Sequence, residues 1–459
     1  MMLLSQAAQV LGARLVGADV TFTAVSSDSR QIAAGDLFVA LCGEHFDGSR
    51  FVAQAAAAGA VAALVSDASY RGEAAACPLL LVEDTRLALG RLAAYWRRQF
   101  DIPVVGLTGS NGKTTVKEML AGILRAAAGD ADRVLATRGN LNNDIGLPLT
   151  LLKLRAAHRY AVIEMGMNHP GEIDYLTRIT QPDVAIINNA ASAHLAGLGS
   201  VEAVARAKGE IFAGLKVDGV AVINADDLYA PLWRELAQPH RVIDFGLDAP
   251  AAVSACWDVT DYGIQMEITT PQGTTNVQLQ VPGAHNARNA LAAAAAALAL
   301  GIPPSAMAQG LESFTGVAGR LQRKPARGGA VLIDDTYNAN PASMRAALQV
   351  LAQAPGRRVF VMGDMGELGA DEEHLHAGIG ERAQRLGIQR LLALGRLSAA
   401  AVRTFGSGAQ HFDTIEALCA ELDKELVAGT TLLVKGSRFM KMERVVQHCA
   451  LREETCCSH

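Results

Sequence analysis

The residues with the clearest chemistry form one run, Gly106-Leu107-Thr108-Gly109-Ser110-Asn111-Gly112-Lys113-Thr114-Thr115. Glycines there let backbone N–H groups close around phosphate oxygens, and a helix opening at the loop adds partial positive charge. Lys113 is expected to reach the β- and γ-phosphates of a nucleoside triphosphate, and the Thr114 hydroxyl to ligate magnesium. The usual spacing puts four residues between the first glycine and Gly-Lys. Here Gly106 stands one position too early and Leu107 fills its slot, so the loop is a variant. It binds a nucleotide but does not name a reaction.

Two other groups belong near it. Glu164 closes the apolar run Tyr160–Glu164, and His194 follows the next such run, 184–188, after a short loop. Ligands of open α/β sheets gather outside the carboxyl ends of strands, which would put both beside the phosphate loop. A carboxylate and an imidazole there can complete a magnesium shell. Lys208 is the odd residue. Val201, Val204, Ile211 and Leu215 fall on one stripe of a helix, and Lys208 falls on the same stripe. A buried ammonium must snorkel to water, be paired, be neutralised or be chemically changed. Carbamylation by CO₂ would make it an anion able to hold a second magnesium ion.

These residues need a sheet to position them. Apolar runs at 102–108, Tyr160–Glu164, 184–188 and Val220–Asn224 alternate with helical patterns at 85–99, 115–128 and 201–215. That alternation predicts parallel βαβ units covered on both faces. From 241 to 282 the texture reads as antiparallel β with a turn at Pro271-Gln272-Gly273, followed by an Ala-rich helix over 287–300. Glycines and prolines over 301–329 mark an interdomain hinge. Runs at 330–333, 359–362, 391–394 and 431–434 then predict a second doubly wound unit, without a dinucleotide fingerprint. The expected fold is α/β in three parts: a small α/β domain at 1–84, a central phosphate-loop domain with a mostly parallel sheet at 85–315, and a Rossmann-like domain at 316–459.

Composition agrees. In 459 residues, 50% are hydrophobic and 19% charged, enough for large cores. The net charge of −5 gives no basic excess for nucleic acid. The longest clean apolar run, 290–300, has eleven residues, short of the ~20 a membrane span needs. Seven scattered cysteines without a Cys-x-x-Cys pair read as reduced thiols, and the start of the chain lacks a secretory pattern, so a cytoplasmic protein is expected. Nothing demands more than a monomer. The tail His448-Cys449 to Cys456-Cys457-Ser458-His459 fits no standard metal spacing and reads as a solvated terminus.

The whole chain resembles the Mur ligases, the ATP-dependent amide-forming enzymes of peptidoglycan precursor synthesis. The loop Thr108, Gly109, Ser110, Asn111, Gly112, Lys113 and Thr114, with Glu164, His194 and the Ala207-Lys208-Gly209-Glu210-Ile211-Phe212 segment, is similar to the family's central domain. The resemblance implies a carbamylated lysine at Lys208 and two magnesium ions, held by Thr114, Glu164, His194 and Lys208. It also implies adenine contact by Asn289, phosphate contact by Arg320 and a ribose contact by Asp335 in the loop Asp334-Asp335-Thr336-Tyr337-Asn338-Ala339-Asn340-Pro341. Ser29 and Arg30 resemble the family's UDP-sugar contacts, and Asn140, Asn142, Asn143 and Asp144 its uridine-nucleotide loop. Taken alone, Asn289 could simply cap the Ala-rich helix, Arg320 could be a hinge surface charge, and Asp335 a solvated strand end.

Three stretches resemble the D-alanyl-D-alanine-adding branch most: 139–146, 162–173, and 361–369 with Lys435-Gly436-Ser437-Arg438. The implied reaction joins D-Ala-D-Ala to a UDP-N-acetylmuramoyl-tripeptide through an acyl phosphate. Lys113, Glu164, His194 and Lys208 would serve the catalysis. The Asp-Asn-Pro-Arg motif of the diaminopimelate-adding branch is absent, and Met440-Lys441 stands where smaller residues are common. A sister ligase adding one amino acid, and a phosphate-loop switch that only binds nucleotide, stay open as alternatives.

Overall fold

The computed structural model describes residues 1–43, 46–69, 76–191, 198–260 and 263–451. Its frame is three α/β sheets in chain order. In the first, strands Asp36–Val39 and Leu79–Val82 are buried throughout and Ala62–Ser66 all but its last residue, as expected of a parallel sheet covered on both faces. Ala24–Ser26 extends it in parallel, and Arg14–Val16 closes the other edge antiparallel.

The central sheet has six strands, all parallel. Their spatial order is Val134–Ala136, Tyr160–Glu164, Val104–Thr108, Val184–Ile187, Val220–Asn224 and Arg241–Phe245. The chain first builds to one side of Val104–Thr108 and then to the other, so a crevice opens at the carboxyl end of that strand. Helix Lys113–Ala128 starts there and packs against the Ala-rich helix Ala284–Ala299 and helix Pro304–Glu312. Alanine lets these helices lie close to each other and to the sheet.

Three expectations need correction. Arg241–Phe245 is the sixth parallel strand, and the antiparallel ribbon starts later, at Ser254–Thr260, Gly263–Thr270 and Gly273–Leu279. As an edge strand it buries only alternate residues, which mimics antiparallel patterning. The stretch 201–215 is α-helical only over Val201–Gly209 and tightens to a 3₁₀ turn over Glu210–Gly214. Within 301–329, helix Pro304–Glu312 belongs to the central packing, which narrows the irregular connection to 313–321.

The third sheet runs Gln322–Pro325, Val331–Asp335, Thr430–Lys435, Arg357–Gly363, Arg390–Leu394 and Ala409–Phe412. Only the first is antiparallel. Among the described residues no helix is long and apolar enough to cross a membrane.

Candidate active site

Strand Val104–Thr108 is fully buried, and helix Lys113–Ala128 begins after a four-residue strap. Gly112, just before the helix, has φ +79°, and a Cβ there would lie 2.4 Å from Asn289 Oδ1 and 2.5 Å from Asn188 Nδ2. Both conformation and space therefore demand glycine. Asparagines hold the strap from behind. Asn188 Nδ2 donates to Asn111 O (3.0 Å) and Asn289 Oδ1 (2.9 Å), while Asn189 Oδ1 accepts the Asn111 N–H at 2.8 Å. Lys113 Nζ donates to Gly109 O at 2.6 Å, folded along its own loop. Burial pushes this ammonium below its ordinary range; the Glu164 charge opposes that and Arg320 reinforces it.

Glu164 ends its strand 2% exposed, with every oxygen engaged. Oε2 accepts from Thr114 Oγ1 at 3.1 Å and Oε1 from Asn142 Nδ2 at 2.8 Å; its own N–H donates to Thr137 Oγ1 at 3.0 Å. Arg320 then reaches across from the third part of the chain, and its Nη2 donates to Thr114 Oγ1 at 2.9 Å. The guanidinium stacks 4.1 Å above the centroid of the Tyr337 ring. This cation–π contact fixes the plane of the arginine.

The strand ends of the third sheet complete the wall. Asp335 Oδ2 and Lys435 Nζ pair at 2.6 Å, and Leu321 N–H donates to Asp335 Oδ1 at 3.2 Å. Burial raises the Asp335 carboxyl above its ordinary value, and the Lys435 charge pulls it back. Lys113, Glu164, Arg320, Asp335 and Lys435 border a single cleft of about 1510 Å³.

Lys208 lies apart from that surface, 2% exposed in helix Val201–Gly209. No hydrogen bond or ion pair joins its amine to another described residue. Burial first, and the Lys113 charge second, push its pKa well below the ordinary lysine value. That direction favours the unprotonated amine, the form that adds CO₂.

The expected residues divide into groups. Ser110, Asn111, Gly112, Lys113, Glu164, Asn289, Arg320 and Asp335 line the cleft; Thr108, Gly109 and Thr114 are not among its lining residues but belong to the strand end, strap and first helical turn beside it. Asn140, Asn142, Asn143 and Asp144 line it too. Two of these are also engaged locally: Asn143 Oδ1 accepts Gly146 N–H at 2.9 Å, and Asp144 pairs with Arg86 at 2.7 Å. Asn289 is inside helix Ala284–Ala299, six positions past the Gly283 cap, so it is not a cap. Ser29 and Arg30 do not line this cleft; Arg30 pairs with Asp28 at 2.8 Å beside the first sheet. His194 and the tail beyond residue 451 lie outside the described residues.

Asn188, Asn189, Tyr337 and Asn340 lie in stretches the sequence marks, but the sequence gives none of them a role of its own. Asn188 carried a signal, since it follows a buried strand at its carboxyl end. The other three are recognisable only from their contacts.

The donors suit a hard cation and a polyphosphate. Thr114 hydroxyl and Glu164 carboxylate are adjacent oxygen donors, and no group of three or more His, Cys, Asp or Glu is placed for a metal among the described residues. Magnesium fits such a sparse set, because it keeps waters and phosphate oxygens for the remaining positions. Thr108 Oγ1, Asn188 Oδ1 and Arg320 Nε, around the strap, are buried without a hydrogen-bond partner among the described residues. Three orphaned polar atoms in one place mark where a polar ligand belongs.

Comparison with known proteins gives the same reading. Residues 107–297 match the Mur ligase middle domain, 319–438 the Mur ligase glutamate ligase domain, and 21–97 the Mur ligase family catalytic domain. The UDP-N-acetylmuramoyl-tripeptide--D-alanyl-D-alanine ligase of Escherichia coli is 46% identical, covering 99% of both chains. Its Bacillus subtilis counterpart is 36% identical over 92% of each. A crystal structure of MurF from Acinetobacter baumannii superposes with TM-score 0.89 at 40% identity, covering 96% of this chain and 97% of that one. MurF from Thermotoga maritima in complex with ADP gives 0.82 at 28% identity, covering 93% and 96%. The chain belongs to the Mur ligase family.

Proposed function

We propose that this chain is an ATP-dependent ligase joining D-alanyl-D-alanine to UDP-N-acetylmuramoyl-tripeptide, a step of peptidoglycan precursor synthesis. One observation carries the reading. The phosphate loop, the Glu164 strand end and Arg320, Asp335 and Lys435 of the third part meet in one cleft, in a chain aligned end to end with D-alanyl-D-alanine ligases.

The chemistry follows from charge. A peptide carboxylate and a γ-phosphate repel each other, so their reaction needs positive charge in fixed positions. Lys113 and Arg320 supply it while a carboxylate oxygen attacks phosphorus. The acyl phosphate forms and ADP leaves. The amine nitrogen of D-Ala-D-Ala then attacks the acyl carbon; the tetrahedral intermediate expels phosphate, and the nitrogen loses a proton to solvent. No side chain acts as a covalent nucleophile. Bound magnesium would further neutralise the two anions, with Thr114 and Glu164 holding one ion, and His194 and carbamylated Lys208 a second. Addition of CO₂ to the unprotonated form of the Lys208 amine, with loss of one proton, would give that carbamate. Thr108 to Gly112 and Asn289 would seat the triphosphate and adenine, Asp335 the ribose. Ser29, Arg30, Asn140, Asn142, Asn143 and Asp144 would take the UDP-linked substrate. Divided at 1–84, 85–315 and 316–459, the parts act as substrate, ATP and closing domains of a cytoplasmic monomer.

The test is phosphate release from ATP and magnesium with UDP-N-acetylmuramoyl-tripeptide, with and without D-Ala-D-Ala. Release that needs both substrates, with a product heavier by one dipeptide, is expected. Equal release without either substrate would sink the ligase reading in favour of a nucleotide switch. Release with a single free amino acid would move it to a sister ligase.

A further inference from the structure

Asn340 belongs to two structures at once. It is the N-cap of helix Pro341–Ala352: its Oδ1 accepts the Ser343 N–H at 2.9 Å, and its own N–H donates to Ser343 Oγ at 3.0 Å. That reciprocal capping box fixes which end of the amide is which. The Nδ2 is left facing outward, and it donates to Asn111 Oδ1 at 2.8 Å, in the phosphate strap 229 positions earlier in the chain.

Asn111 is itself the most heavily tied residue of that strap. Its N–H donates to Asn189 Oδ1 at 2.8 Å, and its carbonyl accepts from both Asn188 Nδ2 and Asn189 Nδ2 at 3.0 Å. Asn188 continues to Asn289 Oδ1 at 2.9 Å, and Asn289 Nδ2 to Asn286 Oδ1 at 3.3 Å. A line of side-chain amides thus runs from the Ala-rich helix, through the strand end behind the strap, and out to the third sheet's first helix. Amides neither titrate nor carry charge, so this connection is unaffected by pH and adds nothing to the charge around the phosphates.

We propose that Asn340 is a positioning residue, a latch that docks the third part of the chain onto the phosphate strap through Asn111. Asn340 borders the same cleft, but its side-chain amide is committed to Ser343 and Asn111, which gives it a defined task. Arg320 and Asp335 can serve the nucleotide only when the third sheet is seated, and Asn340 reads the strap itself and not the ligand. The strap's conformation and the docking of Arg320 are then coupled through one hydrogen bond between neutral groups. The inference rests on the ligase reading only in placing the nucleotide at the strap, and two of its readouts need no turnover.

Serine caps helices as well as asparagine does but is too short to span to Asn111. Asn340→Ser therefore removes the latch and keeps the cap, whereas Asn340→Ala removes both. For Asn340→Ser, the melting temperature should stay at the parent value. The radius of gyration of the ligand-free full chain, from small-angle X-ray scattering, should increase. The KM for ATP should rise roughly three- to tenfold, the value of one net hydrogen bond, with kcat at saturating ATP unchanged. In an Asn111→Ala background the same substitution should change neither scattering nor ATP affinity further. Asn340→Asp also caps, and it controls for charge. Unchanged scattering and KM in Asn340→Ser would overturn the latch. So would an effect seen only with Asn340→Asp, which belongs to charge, or one that adds in full to Asn111→Ala. Loss of ligase activity in the parent protein would fail the functional reading but leave scattering, read beside melting temperature, able to decide this one.

Discussion

The two six-stranded sheets share an architecture and bring their carboxyl ends to the same cleft, yet they hold their functional groups differently. The central sheet's groups are braced from several sides. Glu164 has three hydrogen bonds within that part of the chain, counting its N–H, and the strap is fastened by Asn188 and Asn189. The third sheet reaches the strap through a few single contacts, Arg320 to Thr114 and Asn340 to Asn111 among them. The first arrangement keeps reacting groups in place without ligand. The second can form and break, which suits a part that must admit substrate and then exclude water.

Substitutions can sharpen or break this contrast. The largest effect is expected at Lys113. Replacing it with Met should lower kcat/KM by about 10³, since a preorganised charge at the phosphoryl group is lost, with little change in melting temperature. Full activity would show that the strap lysine is not used. Lys208→Ala should cost about 10² or more in phosphate release and regain part of it when a short carboxylic acid is added. Rescue would support the carbamate; undiminished activity in the unrescued variant would remove it.

On the singly held side, Arg320→Gln should lower kcat/KM by about 10². Tyr337→Leu leaves the charge but removes the stacking platform, so its loss should be about tenfold. If Tyr337→Leu matched Arg320→Gln, orientation and not charge would be the main contribution. Asn142→Ala tests the braced side: with Glu164 freed at one oxygen, about tenfold more magnesium should be needed for half-maximal rate. No change would mean that Glu164 is held well enough by Thr114 alone.

One further effect concerns stability and not rate. His285 lies in the cleft wall, and burial, then the charges of Lys435 and Arg288, lower its pKa to about 4. Between that value and 6.5 the unfolded chain holds a proton that the native state does not, so stability falls as pH is lowered through this window. The loss attributable to His285 is ~3 kcal/mol at most. In urea titrations, His285→Gln should narrow the difference between pH 7 and pH 4. An unchanged difference would assign the acid sensitivity elsewhere.

Much of the fold was legible because local patterns and tertiary environment agreed. Tyr160–Glu164 and Val220–Asn224 read directly as buried strands, each an apolar run closed by one polar residue. Arg241–Phe245 misled because edge burial alternates like a half-exposed strand. Lys208 was legible as an anomaly, a cation on an apolar stripe, but the stripe could not say whether the amine escaped to water. The fold answers that, at 2% exposure with no partner among the described residues.

What the sequence determined by itself is whatever depends on neighbours along the chain. The strap's glycines and lysine, the strand-ending glutamate and the family resemblance of the whole chain are of this kind. Tertiary structure alone decided what depends on distant residues: that Arg320 touches Thr114 across 206 positions and Asn340 touches Asn111 across 229. It also decided that Ser29 and Arg30 stand outside the cleft that Asn140 and Asn142 line. Hydrogen bonds and ion pairs act over a few ångströms, and only the folded path of the chain sets which residues come that close.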